Sequence, residues 1–180
     1  MRVIAGRLGG RTLRAPRGSV TRPTSDLVRG AIFSMLGELD GASVLDLFAG
    51  SGALGIEALS RGAARAVFVE RDPDAVRAIE RNLEKLRLAT GVTVLRQDAV
   101  AALATEASAG RKYDLVLVDP PYDMYPDLQP KLARYLPAVL AADGLLVVET
   151  DARIEPELPL PQRTSRKYGQ ARVTLFEADA

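Results

Sequence analysis

Apolar positions recur along this chain at two spacings, and the spacing changes from segment to segment. Leu27, Val28, Ala31, Ile32, Met35 and Leu36 fall on one helical stripe, with Thr24 or Ser25 placed to cap it and Pro23 just before. The strand-like run Ser43 to Phe48 follows, then a glycine-rich turn and a helix to about Arg61. Ala66 to Glu70 predicts a second strand and Pro73 to Leu88 a helix with proline in its first turn. Val92 to Arg96 is a third strand, Val100 to Ser108 a helix, and Tyr113 to Asp119 a fourth strand. A helix over Asp127 to Ala142 precedes a fifth strand, Gly144 to Thr150.

Short apolar strands alternating with amphipathic helices predict a doubly wound α/β fold, its parallel sheet covered on both faces. Ile154 to Pro161 contains three prolines and reads as a loop. Two further strands, Arg163 to Lys167 and Arg172 to Glu177, flank Tyr168-Gly169-Gln170 as a hairpin. A length of 180 residues suits one domain, divided here into a basic N-terminal arm (1–23) and an α/β body (24–180).

Charge sharpens that division. The net charge of +1 conceals seven arginines and one acid in the first 30 residues, a local +6, against −5 for the rest. Such an arm reads as a contact surface for a polyanion, or alternatively as a solubilising tail. Arg is used far more than Lys throughout, which accounts for the choice of Arg but not for its clustering. The longest apolar run is Ala99 to Ala104, too short to span a bilayer, and the N-terminus lacks the apolar core of a secretory signal. A cytoplasmic protein without membrane contact is expected.

Cys, His and Trp are absent. Disulfides, thiolate or imidazole nucleophiles, Ser-His-Asp triads and Cys- or His-ligated metals are thereby excluded, and no metal centre is expected. Catalysis must use carboxylates, hydroxyls, backbone groups or a cofactor.

Gly50-Ser51-Gly52-Ala53-Leu54-Gly55 follows a predicted strand and opens a helix, with Glu70 ending the next strand. The glycines permit a tight turn and close approach to a ligand, while Glu70 can accept from ribose hydroxyls. A nucleoside-bearing cofactor is therefore favoured over a plain turn. Asp46 bears on which one, because a carboxylate inside an apolar strand repels a pyrophosphate and welcomes a cation such as the ammonium of S-adenosylmethionine. Hydrogen bonding to loop amides is the competing role for Asp46. Asp98 shares this sheet edge and suits either an adenine amine or a helix N-cap.

Asp119-Pro120-Pro121-Tyr122 ends the fourth strand, where open α/β sheets hold ligands. Two prolines stiffen the corner. Asp119 and the Pro120 carbonyl can then accept both protons of a nucleobase amine, whose lone pair is nucleophilic only when drawn toward tetrahedral geometry. Tyr122 offers a face for an extruded base, worth about 1–3 kcal/mol. Methyl transfer to nitrogen from a sulfonium fits a chain without imidazole or thiol.

Over nearly its whole length the sequence resembles class I S-adenosylmethionine-dependent methyltransferases, and among them the bacterial 16S rRNA guanine-N2 methyltransferases that modify guanine 966 of the small subunit. The resemblance rests on Arg2 to Gly6, Arg22 to Asp26 with Arg29, Val44 to Gly52 with Gly55 and Glu57, Val69-Glu70, Asp98, Asp119 to Tyr122 and the Tyr168-Gly169 hairpin. Gly30 departs from it, standing where a larger, often acidic residue is expected. The resemblance implies a seven-stranded sheet with the last strand antiparallel, and a substrate presented on ribosomal particles. It implies that Asp46, Gly50, Gly52, Glu70 and Asp98 hold S-adenosylmethionine, with Phe48, Ser51, Gly55, Arg71 and Ala99 completing the set. Asp119, Pro120, Pro121 and Tyr122 are then catalytic. RNA is expected to meet Arg7, Arg11, Arg14, Arg22, Thr24 and Arg29, and, at the hairpin rim, Lys167, Tyr168, Gln170 and Arg172, unless that rim is an ordinary solvated turn. The partner is 16S rRNA in the small subunit or its assembly intermediate, met by a monomeric enzyme.

Three rivals share parts of the pattern. A DNA adenine-N6 or cytosine-N4 methyltransferase uses the same corner but needs extra structure to read DNA. Asp46 and the Asp-Pro-Pro-Tyr corner argue against an NAD-dependent dehydrogenase, and a non-catalytic RNA-binding module needs no cofactor turn.

Overall fold

The computed structural model describes residues 1–18 and 24–179, so the predicted contact Arg22 lies outside the described residues. Its helices and strands follow in the order α1 (Asp26–Leu36), β1 (Ser43–Leu47), α2 (Ala53–Ser60), β2 (Arg65–Glu70), α3 (Pro73–Lys85), β3 (Val92–Arg96), α4 (Ala99–Ser108), β4 (Tyr113–Val118), α5 (Tyr125–Val139), β5 (Leu140–Asp151), β6 (Gln162–Tyr168) and β7 (Ala171–Glu177). Three helices start where side-chain acceptors meet first-turn amides: Ser25 takes Val28 N–H, Asp72 takes Asp74 and Ala75 N–H, and Asp98 takes Ala101 N–H.

The strands form one seven-stranded sheet in the order β3-β2-β1-β4-β5-β7-β6. β1 to β5 run parallel, and β7 inserts antiparallel between β5 and β6. β6 therefore shares the direction of β5, and the β6–β7 turn sits at the C-terminal sheet edge. Ile32 and Phe33 of α1, Ile56 of α2 and Ile79 of α3 cover one face, while Leu103 of α4 and Leu132 and Leu136 of α5 cover the other. All seven are essentially sealed from water. Helices on both faces are what strands without a polar side require.

The largest departure from the sequence pattern lies at the boundary between α5 and β5. α5 stops at Val139, short of Ala142, because Leu140 turns extended and pairs with Tyr113. β5 then begins earlier than Gly144 and shifts register before Leu145 pairs with Leu115.

Residues 1–18 are not a solvated tail. Val3, Leu8 and Leu13 are buried, while Arg7, Arg11, Arg14 and Arg17 are exposed. Arg2 and Thr12 form an antiparallel bridge, and the buried Glu57 carboxylate accepts from Ile4 N–H (2.8 Å) and Ala5 N–H (3.0 Å). The segment is thus riveted to α2 through a buried acid. Among the described residues no helix is long and apolar enough to cross a membrane.

Candidate active site

Strand order reverses between β1 and β4, the position at which doubly wound sheets open a crevice at their C-terminal edge. β1 leads there to Asp46 and the glycine turn, β2 to Glu70, β3 to Asp98 and β4 to Asp119.

The glycine turn is built for close approach. Phe48 takes φ 59°, Gly50 57° and Gly52 82°, and a left-handed phenylalanine is uncommon enough to mark a constrained site. A methyl at Gly50 would meet open space, whereas one at Gly55 would lie 2.4 Å from the Phe68 ring and 3.1 Å from Asp46 Oδ2. Gly55 is therefore needed for α2 to press onto β1 and β2. Ser51 is buried, and its carbonyl accepts from the Asn82 side chain at 3.0 Å.

Asp46 is sealed inside β1. Its Oδ2 accepts from Gly55 N–H at 3.0 Å, while Oδ1 finds no partner among the described residues. Burial pushes this carboxyl up to about 7, with the Gly55 N–H pulling the other way and the charge of Glu70 adding to the rise. An acceptor left unsatisfied in the interior is costly unless a donor arrives. One Asp46 oxygen thus serves the loop amide, and the other is open.

Glu70 Oε2 accepts from Gly50 N–H at 2.8 Å, and Oε1 from Arg71 and Asp72 N–H. It clamps the glycine turn against the end of β2. Asp98 caps α4 through Oδ2 at 3.0 Å from Ala101 N–H, just before the buried Ala99. A cofactor with a cationic head, a ribose and a base would meet Asp46, Glu70 and Asp98 in that order along the edge.

At the acceptor corner, the Pro121 carbonyl takes Met124 N–H at 3.0 Å and starts the short helical turn Tyr122–Met124. Thr24 Oγ1 stands 2.6 Å from Asp119 Oδ2 and 3.0 Å from Glu149 Oε2, and Tyr122 donates its phenolic O–H to Glu149 Oε1 at 2.9 Å. Burial raises the Asp119 carboxyl well above its ordinary range, the charge of Glu149 adds to this, and the Thr24 hydroxyl offsets part of it. Burial likewise raises Glu149, against hydrogen bonds from Tyr122 and Thr24. Two adjacent carboxylates, Glu149 buried and Asp119 half-buried, cannot both ionise cheaply, so each raises the other's affinity for a proton.

Glu149 is not among the residues that the sequence pattern singles out. Its signal is nevertheless there: an acid ending the apolar run Leu145 to Val148 on β5, as Asp46 interrupts that of β1.

Two expected RNA contacts, Arg29 and Arg172, require correction. Arg29 is fully buried, donating to Asp26 Oδ1 and to the Arg2 carbonyl and lying 4.0 Å from Glu57. It cannot reach a phosphate; it joins α1, the N-terminal segment and α2. Arg172 is turned inward, bonded to the Ala152 carbonyl and Ser165 Oγ with only 12% of its side chain exposed. Thr24 directs its hydroxyl at Asp119. Lys167 and Gln170 are exposed and Tyr168 half-buried at the hairpin turn.

Residues 1–177 match the protein family described as "Conserved hypothetical protein 95". A Bacillus subtilis protein, YlbH, whose name provisionally assigns it as an rRNA methyltransferase, is 41% identical over 98% of both chains. "Ribosomal RNA small subunit methyltransferase D" of Escherichia coli strain K12 is 41% identical over 68% of this chain and 60% of its own. The solved structure of YhhF from Escherichia coli, a provisionally named methyltransferase, superposes on all of this chain and 98% of its own with a TM-score of 0.87 at 33% identity. The sheet order is accordingly that of the Rossmann-like class I methyltransferase fold, and the chain belongs to the family "Conserved hypothetical protein 95".

Proposed function

We propose that this protein methylates the exocyclic N2 amine of a guanine in 16S rRNA, of the guanine 966 type, using S-adenosylmethionine, on the small ribosomal subunit or its assembly intermediate. The observation that carries the reading is the placement, across the β1–β4 reversal, of a glycine turn with an unsatisfied buried Asp46 oxygen beside the Asp119-Pro120-Pro121-Tyr122 corner. The small-subunit methyltransferase names of its relatives support an rRNA substrate.

When bound, S-adenosylmethionine supplies an electrophilic sulfonium methyl group. Asp46, the turn Phe48 to Gly52, Glu70, Arg71, Asp98 and Ala99 would hold it, the open Asp46 Oδ1 being an acceptor suited to its cationic head. Asp119 accepts from one amine hydrogen and the Pro120 carbonyl from the other, drawing the nitrogen lone pair out of conjugation and toward the methyl carbon. As the nitrogen–carbon bond formed, the carbon–sulfur bond of the sulfonium would break with its electron pair left on sulfur as a neutral thioether, and the cationic amine would pass a proton to Asp119, whose raised affinity for protons suits that task. Tyr122, fixed through its hydroxyl by Glu149, presents its ring to the extruded base. Most of the rate enhancement comes from alignment and from carboxylates placed where positive charge develops.

Small subunits from cells lacking the activity, incubated with the protein and labelled S-adenosylmethionine and digested to nucleosides, test this directly. Label in N2-methylguanosine is expected. Label absent from guanosine, with cofactor binding intact, would overturn the guanine assignment and direct the search to DNA adenine or cytosine.

A further inference from the structure

An open groove of about 640 Å³ runs between α1 and β6, outside the crevice described above. Ala31 and Ser34 of α1 form one wall, and Arg163, Thr164, Arg166 and Tyr168 of β6 the other. Among the described residues no acid lines it.

Its course follows from the topology. α1 begins beside Thr24, which touches Asp119, and extends about 16 Å at 1.5 Å per residue away from the acceptor corner. Leu27, four residues before Ala31 and hence on the same helical stripe, is 75% exposed at the active-site end. On the opposite wall, Tyr168 pairs with Ala171, which pairs with Asp151, two residues beyond Glu149. The Tyr168 end of the groove therefore lies toward the sheet edge that carries the acceptor corner, and the chemistry of that end is aliphatic and aromatic. The far end is cationic.

A local irregularity puts both arginines there. Thr164, Arg166 and Tyr168 alternate onto one face of β6, a pattern that would turn Arg163 away. Gln162 pairs with Phe176 and Thr164 with Leu175, so Arg163 is an extra residue against β7, and this bulge re-aims its side chain into the groove. Basic residues on an edge strand also discourage sheet-to-sheet association. That purpose is served by charges in any direction and needs no bulge.

We propose that this groove binds a single-stranded segment of the RNA substrate, Arg163 and Arg166 meeting its phosphates and Tyr168 a base, so that the adjoining guanine is led to Asp119. Positive charge without acids, a stacking ring and an end toward the sheet edge of the acceptor corner are the features such a strand selects. The inference rests on the reading of an RNA substrate, but its test does not need methylation.

The full chain is titrated with a fluorescein-labelled 12-nucleotide single-stranded RNA by anisotropy at several salt concentrations. R163E/R166E is expected to weaken binding at least tenfold and to reduce the salt slope by about 1.4, at roughly 0.7 for each phosphate no longer neutralised. K131A/R134A, which removes two cations from α5 on the opposite face, is expected to bind as wild type. Because the chain has no cysteine, Ser34→Cys offers a unique thiol that saturating RNA should protect from maleimide, without any change to the arginines. Maleimide labelling of that thiol at an undiminished rate under saturating RNA, or an unchanged salt slope in folded R163E/R166E, would overturn the groove and leave edge protection as the role of its arginines. Absence of N2-methylguanosine from treated subunits, with the thiol still protected by RNA, would instead overturn the proposed reaction alone.

Discussion

Thr24 Oγ1 lies 2.6 Å from Asp119 Oδ2 although 95 residues separate them, so the residue two before α1 is fastened to the acceptor corner. Thr24 has a single hydroxyl hydrogen and faces two carboxylates, with Glu149 Oε2 3.0 Å away. Its partners act on Asp119 in opposite senses: the negative charge of Glu149 raises the Asp119 carboxyl, and the Thr24 hydroxyl lowers it. Glu149→Gln should therefore move the acid limb of the kcat/KM profile to lower pH, and Thr24→Val should move it to higher pH. A role confined to packing moves neither limb. Shifts in the same direction would reject the opposed-partner account.

Asp119→Ala removes the amine acceptor without touching the glycine turn. A fall in kcat of at least ~100-fold is expected, with S-adenosylmethionine affinity near that of wild type by calorimetry. Equal loss of cofactor affinity would assign Asp119 to the cofactor instead.

Asp46 predicts a pH dependence of its own. Its carboxyl is pushed up to about 7, so it is largely neutral at pH 6 and ionised at pH 8. A cationic ligand prefers the ionised form, and affinity for S-adenosylmethionine should rise roughly tenfold between those values. The protein without cofactor should behave oppositely. A carboxyl raised by folding contributes stability that is present below its unfolded value and lost as pH rises through about 7, so Tm should fall across this window. Asp46→Asn should flatten the affinity profile and part of the Tm profile. Titration of Kd and Tm from pH 5.5 to 8.5 in both proteins decides the matter.

Periodicity makes the alternation of strands and helices legible, because a strand buried on both faces must be apolar and each covering helix striped. Asp46 and Asp119 are legible for the related reason that an acid in such a strand is too costly to occur without a task. Glu149 carries the same signal, but it acts through Tyr122 and Thr24, and partners distant in sequence leave no spacing to read. Arg29 shows the converse failure. Arginine clustering along the first 30 residues reads as one basic surface. Only the packing reveals that Val3, Leu8 and Leu13 face inward, that neighbouring arginines stay outside, and that Arg29 is sealed between the half-exposed Asp26 and the buried Glu57.

Arg29→Ala should accordingly cost stability rather than RNA affinity. It leaves Asp26 and Glu57 without a buried cation and the Arg2 carbonyl without its donor, a loss of about 3 kcal/mol. Arg61, 2.8 Å from Glu57, limits the damage. Urea unfolding reads the loss, and RNA affinity of the folded variant should stay within about twofold of wild type. Intact stability with weakened RNA binding would return Arg29 to the substrate.

The exposed arginines of the same segment should separate in the opposite way. Arg7, Arg11 and Arg14 are anchored through their backbones, to the Ser60 carbonyl, the Leu8 carbonyl and Asn82 respectively, while their side chains face solvent. Because Val3, Leu8 and Leu13 supply the packing, replacing all three arginines with alanine should leave Tm nearly unchanged. If they meet single-stranded phosphates, the salt slope of RNA binding should shrink by about two, at roughly 0.7 per phosphate, and KM for the ribosomal particle should rise. Leu8→Ala should do the reverse, lowering Tm and leaving the slope of the folded protein alone. An unchanged slope in the triple variant would make these arginines a solubilising surface, and would leave the α1–β6 groove to account for RNA binding.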